Sequence, residues 1–314
     1  MLKFFKTDGG VLSELNHFED GIWADLADPT MDEIKLIANK YKIDTNDIIA
    51  ILDDEETSRV EQESSYTFIV IDIPSEETRH GRNAYTTIPL GIFLTETAIV
   101  TVCSETTDVF SAFSRKSMRS FSTKKQMRFV YQVLYSVAVE YQRLLRYIDK
   151  NRKEIETRAI NNIAEDTDLI DLHELESNLV YFTASLKSNM LVIDRLVRYE
   201  RIKKYSEDKE LLDDVVIEIK QAAEMTDIYI NIIHGSRELI ASVLNDKLNR
   251  VMKLLTSVTL IMGIPTIVSG LYGMNVDEKW MPLSHVQYGF GLICAGIAVI
   301  CVLVILIMKK RKLL

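Results

Sequence analysis

Residues 254 to 276 read LLTSVTLIMGIPTIVSGLYGMNV, 23 residues without a charged side chain, and residues 280 to 308 read WMPLSHVQYGFGLICAGIAVICVLVILIM, a further 29. Each stretch is long enough, as a helix, to cross a hydrocarbon core of about 30 Å. Only Asp277, Glu278 and Lys279 separate them, too few for a domain, so this end of the chain is predicted to be a membrane hairpin. Arg250 and Lys253 precede the first stretch and Lys309, Lys310, Arg311 and Lys312 follow the second, whereas the connector holds one lysine. By the positive-inside bias both ends face the cytoplasm and the connector faces out. Met1 to Gly10 carries charges every few positions and no apolar run of signal-peptide length, which fits a cytoplasmic N-terminus. The expected location is the plasma (inner) membrane, with two spans.

The net charge of −9 over 314 residues hides a division. From Asn249 onward there are seven basic and two acidic residues, a balance of +5, so residues 1 to 248 carry −14. An acidic body repels nucleic acid and attracts cations. Cys103, Cys294 and Cys301 form no C-x-x-C pair and no even framework, which fits a reducing compartment.

Upstream of the hairpin the chain reads as two blocks. Up to about Glu105, β-like runs (Ser65 to Ile73, Leu90 to Val102) mix with short helical patterns such as Met31 to Tyr41, with Pro29, Pro74, Pro89 and Gly91 expected as breakers. From about Lys124 there is no glycine or proline until Gly235, and Phe129, Val133, Val137, Tyr141, Leu144 and Ile148 recur at helical spacing. Breaks near Asp166 to Asp168 and Ser206 to Asp208 predict three long helices. The last, from about Glu207, meets no proline until Pro265 and is expected to run to Tyr272, on the order of 100 Å at the rise of an α-helix. The division is therefore an α/β domain over 1–120, a long-helix stalk over 121–250 and the hairpin over 251–314, with a first span near 251–273, an outer loop at 274–286 and a second span at 287–308. The class is an α+β membrane protein.

Read as a heptad, the first span has a seam of Asn249, Met252, Thr256, Thr259, Gly263, Thr266, Gly270 and Gly273. Small residues allow helices to approach closely. Threonines in line with an asparagine also fit the wall of a water-filled path, because polar atoms at bilayer depth face protein or water. Both readings stay open at this point. A path would need several copies in a ring, since one such helix encloses nothing.

Tyr272, Gly273, Met274 and Asn275 at the end of this span resemble the signature of the CorA family of Mg2+ transporters, a Gly-Met-Asn triplet before a short outer loop. Arg59, Val60 and Glu61, with the run Tyr66 to Val70, resemble the pattern of that family's N-terminal domain. The resemblance implies a funnel-shaped homopentamer embedded in membrane lipid, whose first spans line a pore and whose cytoplasmic domains sense Mg2+. It implies a selectivity role at the mouth for Asn275, with Gly273 permitting the turn, and polar pore rings at Thr266 and Asn249, Thr259 lying in line with them. It further implies a hydrophobic gate at Met252 and Leu255, and regulatory Mg2+ held at Asp214, beside Asp213. A partner from the N-terminal domain is sought among Asp72, Glu76 and Glu77. Gly263 replaces a bulky residue of the family pattern, and the loop runs from Met281 and Pro282 straight into Leu283. Asp277 and Glu278 are then the acidic lure for ions.

The function expected is passive Mg2+ influx gated by intracellular Mg2+, with Co2+ or Ni2+ as possible passengers. The alternatives are a zinc-preferring relative or a membrane-anchored sensor without transport. The five histidines have no ligand spacing, and no phosphate loop or nucleophile constellation is present. Neither an enzyme nor an organic cofactor is expected.

Overall fold

The computed structural model describes residues 1–8, 11–79, 81–114, 121–161, 166–198, 206–277, 279, 281–283 and 286–311. Seven strands, β1 (Leu2–Asp8), β2 (Val11–Leu15), β3 (Ile22–Ala27), β4 (Arg59–Gln62), β5 (Tyr66–Arg79), β6 (Arg82–Thr95) and β7 (Ala98–Cys103), form one sheet in the order β2-β1-β3-β7-β6-β5-β4. Neighbouring strands are antiparallel except β3 and β7, which run parallel. Alternation along the strands feeds two cores. Ile22, Ala24, Phe68, Val70 and Val100 point to one face, where α1 (Met31–Tyr41) and α2 (Thr45–Ala50) contribute Ile34, Ile37 and Ile48. Trp23, Ile69, Ile71, Ile92 and Ile99 point to the other.

That second face is covered by long helices. A short helix α3 (Ser111–Ser114) leads to α4 (Gln126–Ile160), α5 (Asp166–Arg198) and α6 (Ser206–Tyr272). The apolar core runs without a break from the sheet through Val133, Val137 and Tyr141 of α4 and Leu179 and Phe182 of α5 to Val215 and Ile219 of α6. Polar contacts fix the register of α6: Arg128 Nε donates to Asp208 at 3.0 Å, Gln142 Nε2 to Glu218 at 2.6 Å, and Arg237 to Glu176 at 2.7 Å. The last helix is α7 (Gly289–Lys310).

Three of the expected breakers behave differently. Pro74, Pro89 and Gly91 lie inside strands, paired with Thr87, Asp72 and Val70. The prolines are tolerated because each sits past the end of its outer neighbour: β4 stops opposite Val70 and β7 stops opposite Leu90, so no ladder N–H is missed on that side. Gly91 answers to packing, since a Cβ there would lie 2.7 Å from Ile51 Cγ1. The run Leu90 to Val102 is two strands, turned where the Thr95 hydroxyl donates to the Ala98 carbonyl and accepts from the Ala98 N–H. The Met31–Tyr41 helix appears with the expected bounds, closed by a capping box between Thr30 and Glu33.

Candidate ion path and sensor

The candidate path residues lie on α6. The buried Ser257 and the half-buried Ile261, Ile264, Val268 and Tyr272 form the face turned toward α7, recurring every three or four residues. At about 100° per residue, Thr256, Thr259, Gly263, Thr266, Gly270 and Gly273 lie on nearly the opposite face. All are exposed except the half-buried Gly263. Asn249, Met252 and Leu255 continue this uncovered side toward the cytoplasmic end.

Each threonine of the seam donates its hydroxyl proton back into the helix: Thr256 to Met252 O at 2.8 Å, Thr259 to Leu255 O at 2.8 Å, and Thr266 to Met262 O at 2.9 Å. With the proton committed, each oxygen presents lone pairs outward and acts as an acceptor. A column of neutral acceptors suits the outward-pointing hydrogens of a hydrated cation.

The outer end closes tightly. Gly273 N–H donates to Ser269 O at 2.9 Å and Met274 N–H to Leu271 O at 3.4 Å, so the helix ends on the triplet. Gly273 is not left-handed; a Cβ there would lie 3.2 Å from the Ser269 carbonyl oxygen, tighter than usual. Val276 N–H donates to Met274 O at 2.9 Å, and the Tyr272 hydroxyl donates to Pro282 O, tying the helix end to the loop. Met274 and Asn275 are exposed, and among the described residues the Asn275 amide has no partner. Asp277 accepts from Lys279 N–H at 3.2 Å, while Glu278 and Lys312 lie outside the described residues. Leu283 and Tyr288 adopt left-handed conformations, and Gly289 admits no side chain, because a Cβ would stand 2.1 Å from Leu283 O.

Pro265 inside α6 has no N–H, so the carbonyl of Ile261, four residues earlier, loses its helical donor. Cys301 of α7 reaches it, Sγ to O 3.8 Å. Sequence reading takes Cys294 and Cys301 as small packing residues. The missing signal was arithmetic: a proline frees one carbonyl, and cysteines are the only uncharged polar side chains on α7 able to donate to it.

The acidic candidates separate. Asp213 and Asp214 are exposed on α6 between the buried Leu212 and Val215. Asp72 turns into its own domain, with its backbone clasped by Asn189, which accepts from the Asp72 N–H at 2.8 Å and donates to its carbonyl at 2.7 Å. Burial pushes the Asp72 carboxyl up to about 6, against the lowering effect of hydrogen bonds from Ser58 and Ser185. Glu77 pairs with Arg79, and Glu76 is exposed. Among the described residues, no group of three acidic, histidine or cysteine side chains converges within one chain as a metal site would require.

These features have counterparts. The cobalt/magnesium transport protein CorA of Methanocaldococcus jannaschii is 28% identical over 302 residues, 93% of this chain and 92% of that protein. The magnesium transport protein CorA of Helicobacter pylori is 23% identical over 98% of each chain. The complete structure of the Methanocaldococcus jannaschii CorA magnesium transporter superposes with a TM-score of 0.79 at 26% identity, covering 99% of this chain and 98% of that one. Residues 18–310 match the family described as CorA-like Mg2+ transporter protein, and with that match over most of its length the chain belongs to the CorA family.

Proposed function

We propose that this chain is one subunit of a homopentameric Mg2+ channel in the plasma (inner) membrane, with both termini cytoplasmic, through which Mg2+ enters passively and which intracellular Mg2+ closes. The observation carrying this reading is the uncovered seam. α7 shields one side of α6, and small residues and hydroxyl acceptors run along the middle of the side left bare, flanked by the exposed Leu260, Met262 and Ile267. Symmetry copies facing one another across that seam enclose a path. Relatives are named for magnesium and, in two cases, cobalt as well, and Co2+ is the natural passenger here, with Ni2+ beside it.

Mg2+ gives up its waters reluctantly. Neutral oxygens at Thr266, Thr259 and Asn249, and the amide of Asn275 at the mouth, accept hydrogen bonds from the hydration shell without stripping it. A carboxylate ring in the same place would hold the ion too long for conduction. Inward movement of two charges through 100 mV is worth about 4.6 kcal/mol. At the cytoplasmic end Met252 and Leu255 form a constriction that closes by losing water. The sensor is assigned to Asp214 with Asp213, facing a neighbouring subunit, where an Mg2+ ion bridges carboxylates that otherwise repel. Glu76 is better exposed than Asp72 to serve as the partner.

The test is Mg2+ flux into liposomes holding the purified protein and its Asn275→Ala variant. Strong loss of flux with intact assembly is expected, and equal flux in both would remove Asn275 from the mechanism. Zn2+ competition in the same assay separates a zinc-preferring transporter, and a ring without flux under any gradient would leave only a membrane-anchored sensor.

A further inference from the structure

The two helices of the hairpin bring their cations together at one height. The contact between Cys301 Sγ and the Ile261 carbonyl sets the register of α7 against α6. The helices run in opposite directions, so Lys309, eight residues on from Cys301, stands about level with Lys253, eight residues back from Ile261. Met308 just before it is 8% exposed, so the helices are still packed together here. Lys310 and Arg311 follow, level with Met252 and Val251.

On α6, Lys247, Arg250 and Lys253 recur every third residue. Arg250 precedes the buried Ser257 by seven residues, two turns, so this basic stripe is centred on the side turned toward α7, away from the threonine seam. Leu248, Met252 and Leu255 fall on the other side, with the seam. Six cations, all exposed, therefore gather on the outer flank of the hairpin within roughly 10 Å of height.

Like charges so placed repel one another, and the chain does not neutralise them. Among the described residues, none of the six is within ion-pair distance of a carboxylate. Asp246 is the only acid on α6 beyond Glu238, one charge against six, and Asp168 near the start of α5 is already paired with Arg158. The height of the cluster names the missing anion. The charge-free run of α6 begins at Leu254 and that of α7 ends at Met308, so the cations stand where the hydrocarbon-length segments stop, and their long stems reach the phosphate layer of a bilayer.

We propose that this collar seats the phosphates of anionic phospholipids of the cytoplasmic leaflet, on the outside of the ring, with α6 and α7 of one subunit holding the same headgroups. Clusters of four to eight Lys and Arg just cytoplasmic of a span attract such lipids, and arginine grips phosphate through two parallel hydrogen bonds. A zwitterionic lipid neutralises its own phosphate and leaves the repulsion in place. The inference rests on the membrane hairpin of the proposed function, not on conduction.

The full chain is reconstituted in phosphatidylcholine vesicles at low ionic strength with traces of acyl-spin-labelled phosphatidylglycerol or phosphatidylcholine, and electron paramagnetic resonance reads the share of each that the protein holds. Phosphatidylglycerol is expected to associate about fivefold more strongly, falling to about twofold or less in the Lys247→Gln/Arg250→Gln/Lys253→Gln variant, which keeps the cations of α7, and falling likewise for the wild type in high salt. Equal association of both lipids with the wild type, or an undiminished preference in the variant, would overturn the proposal. So would erasure of the preference by millimolar inorganic phosphate, which makes a soluble anion the occupant, or dissociation of the variant's oligomer, which assigns the stripe to a contact between copies. A wild-type chain that restrains neither lipid sinks the hairpin and this inference together, whereas a preference without Mg2+ flux in the same vesicles supports the collar and removes only the channel.

Discussion

Position 72 carries an acid whose surroundings work against its charge. Its folded-state value of about 6 lies above that of an unfolded aspartate, so between about pH 4 and pH 6 the native chain keeps a proton that the unfolded chain has released. Stability therefore falls as pH rises through that window and is level above it. Asp72→Asn, which still accepts from Ser58 and Ser185, should abolish the slope and stabilise the protein at pH 7 by on the order of 2 to 3 kcal/mol; urea midpoints at pH 4 and pH 7 check it. Cys301 is a second single-residue test. Cys301→Ser keeps a donor for the Ile261 carbonyl, whereas Cys301→Ala orphans that carbonyl within the apolar layer. Alanine is expected to lower the melting temperature, at a cost of about 1 kcal/mol or more, and serine to preserve it.

Among the elements, α6 is the one on which the proposed sensing and conduction would both depend. Gly235 lies in its middle with nothing within 4 Å of a would-be Cβ, so Gly235→Ala should stabilise the cytoplasmic part by about 1 kcal/mol, seen in thermal unfolding. Thr259→Val keeps the shape and removes one acceptor from the seam. It should slow Mg2+ flux severalfold with assembly unchanged, and unaltered flux would mean that the seam serves packing alone. The helices themselves were legible, because periodicity without glycine or proline marks α4, α5 and α6 to within a few residues, and the charge-free runs mark the hairpin. What they lie against was not legible. That α4 and α5 cover the second face of the sheet depends on contacts distant in sequence, and Pro74 and Pro89 are admissible in strands only because β4 and β7 happen to stop short of them. The surroundings of Asp72 were illegible for the same reason: nothing local announces that Asn189 and Ser185 on α5 will enclose it, whereas the threonine spacing could be read because a single helix carries it.

For the whole molecule, the decisive fact is how little of α6 one chain supports. Residues 245 to 256 are exposed throughout, and this stretch includes Leu248, Val251, Met252, Leu254 and Leu255. Five exposed apolar side chains interleaved with charged ones, on a helix outside its own fold, call for other copies around an axis. Native mass spectrometry of the full chain should find five subunits. Removal of Mg2+ with a chelator should raise flux and hasten amide exchange around Asp213 and Asp214, and Asp214→Asn should leave flux high whether or not internal Mg2+ is present.

An unbroken α6 also sets a rule for how such chains can change length. Inserting or deleting one residue between Leu244 and Asn249 would rotate everything beyond it by about 100°, carrying the threonine seam away from the axis while the cytoplasmic half stayed docked. Seven residues restore the phase to within about 20°. Relatives that keep this helix whole should therefore differ in length here by whole heptads or not at all, however far their side chains have diverged.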